Sequence, residues 1–308
     1  MLTRLAESLY WFGRYVERAE DTARILDVHY HLLLEDPWVD ESAACRALLE
    51  VMGVECGEAD TCDIDTVTRA LAYDASYGGS IVGSMSAAWH NARGAREVIS
   101  SEIWECVNAT HIEIASRASA SVPQPHKFFI WVKERAAILA GLADSTMSRD
   151  DAWRYLVLGR SLERVDMTAR LLSSRHQAVW GDGGWTTTLR CCSAYESYLR
   201  TYQRAVDATL AAQFLLLDRL FPRSVLWALR TAEQCLAELD PSSSRVGFDD
   251  VARRTLGRAR TELEFRALDD LLGSLPDHLA QLQNQCTAAA GAVADRYFRH
   301  TRPLEWTA

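Results

Sequence analysis

Apolar residues recur at helical spacing along nearly every long stretch of this chain, and no segment shows the strict alternation of a half-buried strand. The pattern predicts an all-α protein, a large bundle of about ten helices at 3–35, 40–53, 64–73, 81–119, 126–143, 149–177, 186–220, 223–239, 248–273 and 276–300. The breaks have local causes. Pro37 follows the first helix, Gly78-Gly79 precedes the fourth, Ser121-Val-Pro-Gln-Pro125 ends it, and Gly181-Asp-Gly-Gly184 follows the sixth. Pro222 and Pro276 suit a first helical turn, where a missing amide donor is harmless. Ser148 with Asp151 resembles a capping arrangement at the start of helix 149–177.

Within this pattern one phrase occurs twice. Residues 13–26 read G-R-Y-V-E-R-A-E-D-T-A-R-I-L and residues 159–172 read G-R-S-L-E-R-V-D-M-T-A-R-L-L, with eight of fourteen positions identical at an offset of 146. A period this long is unlike a solenoid repeat of roughly 20–50 residues. It predicts a duplicated half-bundle within a single domain spanning 1–308, with helices 3–35 and 149–177 in equivalent places. Beyond these two helices the halves show no alignment, so a repeat confined to one helix pair stays open as the alternative. The retained residues are mostly charged, whereas packing alone tolerates many apolar combinations.

At about 100° per residue, Gly13, Glu17, Glu20 and Arg24 share a narrow band, with Arg14 and Arg18 beside it and the apolar face elsewhere. The second copy repeats it with Gly159, Glu163, Asp166 and Arg170, flanked by Arg160 and Arg164. A helix-interior glycine costs up to about 1 kcal/mol relative to alanine, so its presence in both copies predicts a close approach of backbone or ligand. Three readings of the band stay open. It is a solvated face of i,i+3 and i,i+4 pairs, a buried network of Arg–carboxylate forks across a pseudo-twofold axis, or a polar cleft that binds a ligand. The four acids superficially resemble a dinuclear metal site, but neither copy holds a histidine and arginines already balance the charge, so no metal is expected.

A third polar segment, Asn91-Ala-Arg-Gly-Ala-Arg-Glu97, places Asn91, Arg93, Arg96 and Glu97 where most can project from one side of the long helix 81–119. In Leu216-Leu-Asp-Arg-Leu-Phe-Pro-Arg-Ser-Val225, Arg223 and Ser224 suit a helix cap better than an anion site at a helix start. His29 and His31 fall on nearly opposite sides of one helix and read as packing or surface rather than a ligand pair.

Composition narrows the function classes. A content of 48% hydrophobic and 24% charged residues in 308 is that of a soluble domain with a sizeable core. A net charge of −9 argues against nucleic acid as partner. Lys127 and Lys133 are the only lysines, leaving 31 arginines among the 33 basic residues. A GC-rich genome accounts for that bias, and bidentate pairing suits arginine as well. The eight cysteines form no C-x-x-C pair and read as reduced thiols; Cys56 and Cys62 lie in an acidic linker, and Cys191-Cys192 reads as packing. No secretory apolar core and no run near the roughly 18 apolar residues of a span is present. The expected location is the cytoplasm, away from membranes. There is no nucleophile motif, phosphate loop or zinc-protease helix, and no cofactor is expected.

The ordered segments Y-W-F-G-R-Y-V-E-R-A-E-D-T-A-R, L-A-Y-D, S-I-V-G-S, N-A-R-G-A-R-E-V-I-S-S-E-I-W-E, T-M-S-R-D-D-A-W-R-Y-L-V-L-G-R-S-L-E-R and F-P-R-S-V together resemble the bacterial alpha-E family. The similarity runs from about residue 2 to 300. The chain departs from it at Tyr77-Gly78-Gly79, where the family tends to have Asn-Pro-Ser, and at Trp89-His90, where Arg-Glu is usual. The resemblance implies an all-helical domain that works beside a circularly permuted ATP-grasp protein and a transglutaminase-like cysteine peptidase, in systems that make or break amide bonds. It assigns no reaction to this chain. The leading expectation is an accessory component that holds an acidic or amino-acid-like substrate, or docks the ligase, through the Arg/Glu band. An enzyme with Glu17 or Glu163 as general base is the alternative, and a purely structural scaffold the third reading.

Overall fold

The computed structural model describes residues 1–54, 62–118, 124–174, 184–241 and 245–298. Fourteen α-helices and two π-helical turns account for the regular structure of these residues, with no strand among them. They are α1 (Thr3–Glu35), α2 (Glu41–Val51), α3 (Ile64–Thr68), α4 (Ile81–Gly94), α5 (Ser101–Arg117), α6 (Pro125–Thr146) and α7 (Asp151–Ser174). They continue as α8 (Gly184–Cys191), α9 (Tyr195–Tyr202), α10 (Ala208–Leu217), α11 (Val225–Leu239), α12 (Val251–Phe265), α13 (Leu268–Gly273) and α14 (Leu275–Val293).

The all-α expectation holds, but three long helices expected from periodicity are broken. The stretch 81–119 divides at 95–100, where Ser100 accepts a hydrogen bond from the Ile103 amide (3.2 Å) and so starts a new helix. The stretch 186–220 becomes α8, α9 and α10, because Ser193 and Gln203 take left-handed φ values of 54° and 51° and Asp207 caps α10. The stretch 248–273 divides into α12 and α13 at Arg266 and Ala267. Helix α7 is capped by Asp150, which accepts from the amides of Ala152 and Trp153, rather than by Ser148. Cys56, most of Ser121–Pro125 and Gly181–Gly183 lie outside the described residues.

Helix α1 packs on α4 and α6, and α5 closes the ring by touching α4 and α6. Helix α7 does the same with α11 and α14, and α12 closes that ring. The two four-helix rings meet along the α1–α7 seam, and one hydrophobic core runs through both. The duplication therefore reaches well beyond the repeated phrase. Before α4, the Ser80 hydroxyl donates to the Asp74 carbonyl (2.5 Å) and accepts from the Gly83 amide (2.9 Å). Before α11, Ser224 donates to Asp218 (2.5 Å) and accepts from Trp227 (3.1 Å). Asp74 and Asp218 each accept from the amide two residues on, at 2.8 Å in both. The two turns share a conformation that their sequences barely share.

Candidate functional site

The seam is where the repeated residues meet. Helices α1 and α7 run side by side in the same direction, with the Met1 amino group 3.9 Å from Asp151 at one end and His29 and Leu171 beside the same small cavity at the other. A Cβ on Gly13 would lie 2.1 Å from the Leu156 carbonyl oxygen, and one on Gly159 would lie 2.0 Å from that of Tyr10. Each glycine thus lets the other helix's backbone in, at positions related by the repeat. That contact brings the charged band of each helix within reach of its counterpart.

The result is a reciprocal exchange of ion pairs. Arg18 grips Glu163 through Nε (2.5 Å) and Nη2 (3.0 Å), while Arg164 grips Glu17 through Nε (2.6 Å) and Nη2 (2.8 Å). Both carboxylates are 2% exposed. Arg14 adds a bond to Glu163 through Nε (2.6 Å) and donates to the Tyr10 hydroxyl at 3.3 Å. Burial pushes the Glu163 carboxyl up, but Arg14 and Arg18 outweigh it and hold it below the usual carboxylate range. Burial acts on Glu17 in the same way, and Arg164 and Arg223 overcome it to hold that group at about 2. Two buried carboxylates, each clamped by two guanidiniums, link the rings. Such forks combine directional bonds with charge, and breaking one leaves an uncompensated ion.

A family model described as a predicted alpha-helical domain with a conserved ER motif matches residues 1–298. The chain belongs to the Alpha-E family. The Glu-Arg dipeptide stands at the centre of both repeat copies, as Glu17-Arg18 and Glu163-Arg164, and these four residues make the reciprocal exchange. The chain is also similar to uncharacterized proteins of Mycobacterium bovis and of Mycobacterium tuberculosis strains CDC 1551 and H37Rv. Each is 26% identical over 310 residues, covering 90% of this chain. The chain spans 35% of the length of these curated relatives. No solved structure matches it.

The rest of the Alpha-E band is less symmetric. Glu20 pairs with Arg24, which also donates to the Ser193 hydroxyl (3.2 Å), and Asp166 accepts from Arg170 Nε (2.9 Å). Arg223 joins the band from outside the repeated phrase. It lies in the turn before α11 and enters the seam, bonding Asp21 (2.6 Å), Glu17 (3.1 Å) and Glu20. Ser224 is the helix cap, as expected, while Pro222 stays outside α11 and offers its carbonyl to Arg164 (3.1 Å). The F-P-R-S-V segment was the available signal, but the direction of one arginine in a turn is not written in periodicity.

Arg160 stands alone. Its repeat mate Arg14 binds Glu163, but Glu17 is occupied by Arg164 and Arg223, and among the described residues no hydrogen bond or ion pair is present on the Arg160 guanidinium. Burial and the neighbouring Arg164 lower its proton affinity, with Glu17, Asp144 and Glu20 pulling the other way. Arg160 therefore carries a partly buried positive charge with no direct ion pair among the described residues.

The third segment does not join the band through any hydrogen bond or ion pair among the described residues. The break at 95–100 separates Asn91 and Arg93, on α4, from Arg96 and Glu97 in the connection, so they do not share the face of one long helix. Asn91 bonds the Ala87 carbonyl (2.8 Å), while Arg93 and Arg96 are exposed over the rings of Trp89 and Trp104. Trp89 stacks on His111 with ring centroids 4.2 Å apart and donates to Asn108 (3.0 Å).

One cluster joins residues that no sequence motif connects. His31 does meet chemistry-bearing partners: Asp27, His31 and His126 hold their polar atoms within 4.8 Å of one another. Lys133 bonds the second Asp27 oxygen at 2.5 Å, so a fixed internal cation already balances this carboxylate. Among the described residues no helix is long and apolar enough to cross a membrane.

Proposed function

We propose that this Alpha-E domain is a helical accessory component of an ATP-grasp amide-ligase or peptide-modification system, holding an acidic or amino-acid-like substrate at the α1–α7 seam or docking the ligase there. The observation that carries the substrate-holding part is Arg160, a partly buried guanidinium that the fold brings to the seam and leaves without a carboxylate. An acidic group of a ligand supplies what Glu163 supplies to Arg14. The match to only 35% of each mycobacterial relative supports a module that works beside another protein part. The partner assignment, including the transglutaminase-like peptidase, rests on the family resemblance.

The reciprocal exchange favours a second reading, a purely structural scaffold. General-base catalysis by Glu17 or Glu163 gains no support, because both carboxylates are buried, held ionised by arginines and fully engaged. Arg160→Ala separates substrate holding from scaffolding, since it removes a charge that makes no direct hydrogen bond or ion pair among the described residues. Metabolites and peptides are profiled by mass spectrometry with the ATP-grasp protein present and absent. Under substrate holding, the ligase-dependent product falls at least about tenfold with the melting temperature unchanged. Unchanged product from the variant leaves the scaffold reading standing.

A further inference from the structure

The two rings repeat one another in packing, and one of the positions where they differ decides whether a half-site is filled. The residue before the cap Ser224 is Arg223, and the residue before the cap Ser80 is Gly79. In one half the Arg223 guanidinium occupies the space between the turn and the band, meeting Glu17, Glu20 and Asp21. In the other half the Tyr77 ring lies against Gly79 and donates its hydroxyl to the Met52 carbonyl (3.2 Å), and no charged side chain arrives from the turn. A cavity of about 330 Å³ lies there instead, lined by Gly79, Tyr77, Gly53, Arg18, Asp166 and Arg170 among others.

The acids on its wall follow the same relation. Asp166 is the repeat mate of Glu20. Glu20 is bound by both Arg24 and Arg223, whereas Asp166 is bound by Arg170 alone, through one of its oxygens. Asp21, which helps to hold Arg223, is matched by Met167, so the open half has one acid fewer and a partly apolar floor. Its volume is near the lower end of small-molecule sites, the size of an amino acid rather than a nucleotide.

We infer that this open half-site binds a small ligand through a guanidinium or alkylammonium group, which takes the place that Arg223 fills in the closed half, with Asp166 as its carboxylate. Arg170 is 40% exposed and uses only Nε on Asp166, so its remaining donors face a carboxylate on the ligand's other end. An amino acid with a cationic side chain, or a peptide ending in one, meets opposite charge at both ends. This deepens the substrate-holding reading and rests on it for its biological meaning, but the binding itself needs no ligase.

The test is calorimetric and NMR titration of the whole protein with L-arginine, L-lysine and methylguanidine, and with L-glutamate as the charge-reversed control. Arginine and methylguanidine binding with lysine weaker assigns a guanidinium site; lysine binding more tightly assigns an alkylammonium site; either supports the inference. The expected dissociation constant is about 1 mM or tighter, with one ligand per chain. Asp166→Asn, partly exposed and holding one arginine, should weaken it at least about tenfold with an unchanged circular dichroism spectrum. Gly79→Arg combined with Tyr77→Phe, which frees the ring from the Met52 carbonyl so that it can move off the new Cβ 2.5 Å away, restores the Phe-x-Arg-Ser sequence of the other half and should abolish binding. Titration of Asp166→Asn does not depend on that double variant folding. No binding of any cationic probe by the folded protein at about 10 mM, equal binding of glutamate, or unchanged affinity in Asp166→Asn overturns the inference. Ligase-dependent product lost in Arg160→Ala without any cationic ligand bound defeats this inference alone. Ligand bound with no ligase dependence defeats the proposed function alone.

Discussion

Replacing Glu163 with glutamine is the sharpest perturbation of the seam. Glutamine keeps the shape and one acceptor oxygen but removes a charge that is 2% exposed and that serves as the carboxylate partner of both Arg14 and Arg18. Those guanidiniums are 13% and 24% exposed, so water replaces only part of what they lose. Breaking a buried pair by removing one partner costs about 3–5 kcal/mol. At about 2–4 °C per kcal/mol, that is a fall in melting temperature of roughly 6–20 °C. The matching change Glu17→Gln should cost less, despite identical burial. It strands Arg164, but Arg223 keeps Asp21 and Glu20. It also relieves Asp21, whose carboxyl is raised partly by the Glu17 charge. Thermal and urea unfolding followed by circular dichroism reads both variants. A Glu163→Gln protein melting within about 2 °C of the parent, or a Glu17→Gln protein less stable than it, would refute the reciprocal lock.

Gly13→Ala places a methyl 2.1 Å from the Leu156 carbonyl oxygen and should cost at least about 1–3 kcal/mol, with Gly159→Ala alike; unchanged melting of both would show that the seam has slack. Burial, despite Arg223, raises Asp21 from 3.8 to about 7, so its proton is held more tightly in the folded chain, and its stabilisation is full below about 3.8 and lost as pH rises toward 7. Asp21→Asn should therefore flatten the pH dependence of urea midpoints across that window and be more stable than the parent at about pH 8, by up to roughly 4 kcal/mol; identical slopes refute this. If the proposed ATP-grasp partner extends from the seam over α4, replacing Arg93 and Arg96 together by alanine should weaken its pull-down with little change in melting, because each loses only an exposed contact with a tryptophan ring worth about 0.5–1 kcal/mol. A stable complex of unchanged affinity would remove these two from the docking surface.

Much of the fold is legible in the one-dimensional pattern because helical burial has a period and because the repeated phrase is local. The all-helical class, the bounds of α1 and the close crossing at Gly13 and Gly159 follow from apolar spacing and from glycine retained inside both helices. The pairing of α1 with α7 was legible too, since charged residues kept in register need partners. The breaks at 95–100, Ser193 and Gln203 were not, because a hydroxyl cap or one left-handed residue interrupts a helix without disturbing its apolar period. The extent of the duplication was hidden for a related reason. The turns before α4 and α11 conserve hydrogen bonds rather than residues, at an offset of 144 instead of 146.

What only the tertiary structure decided is which charge meets which. Glu17 and Glu163 each had three repeat arginines as equivalent candidates, and the choice depends on a seam that joins residues 145–149 positions apart. The entry of Arg223 and the isolation of Arg160 go together, since a carboxylate occupied by one guanidinium is no longer free for the next, and the cavity beside Gly79 lies where the other half has no such arginine. Local sequence sets the periodicity of burial and the positions of charge; long-range ion pairing is a competition settled only when every contender is in place.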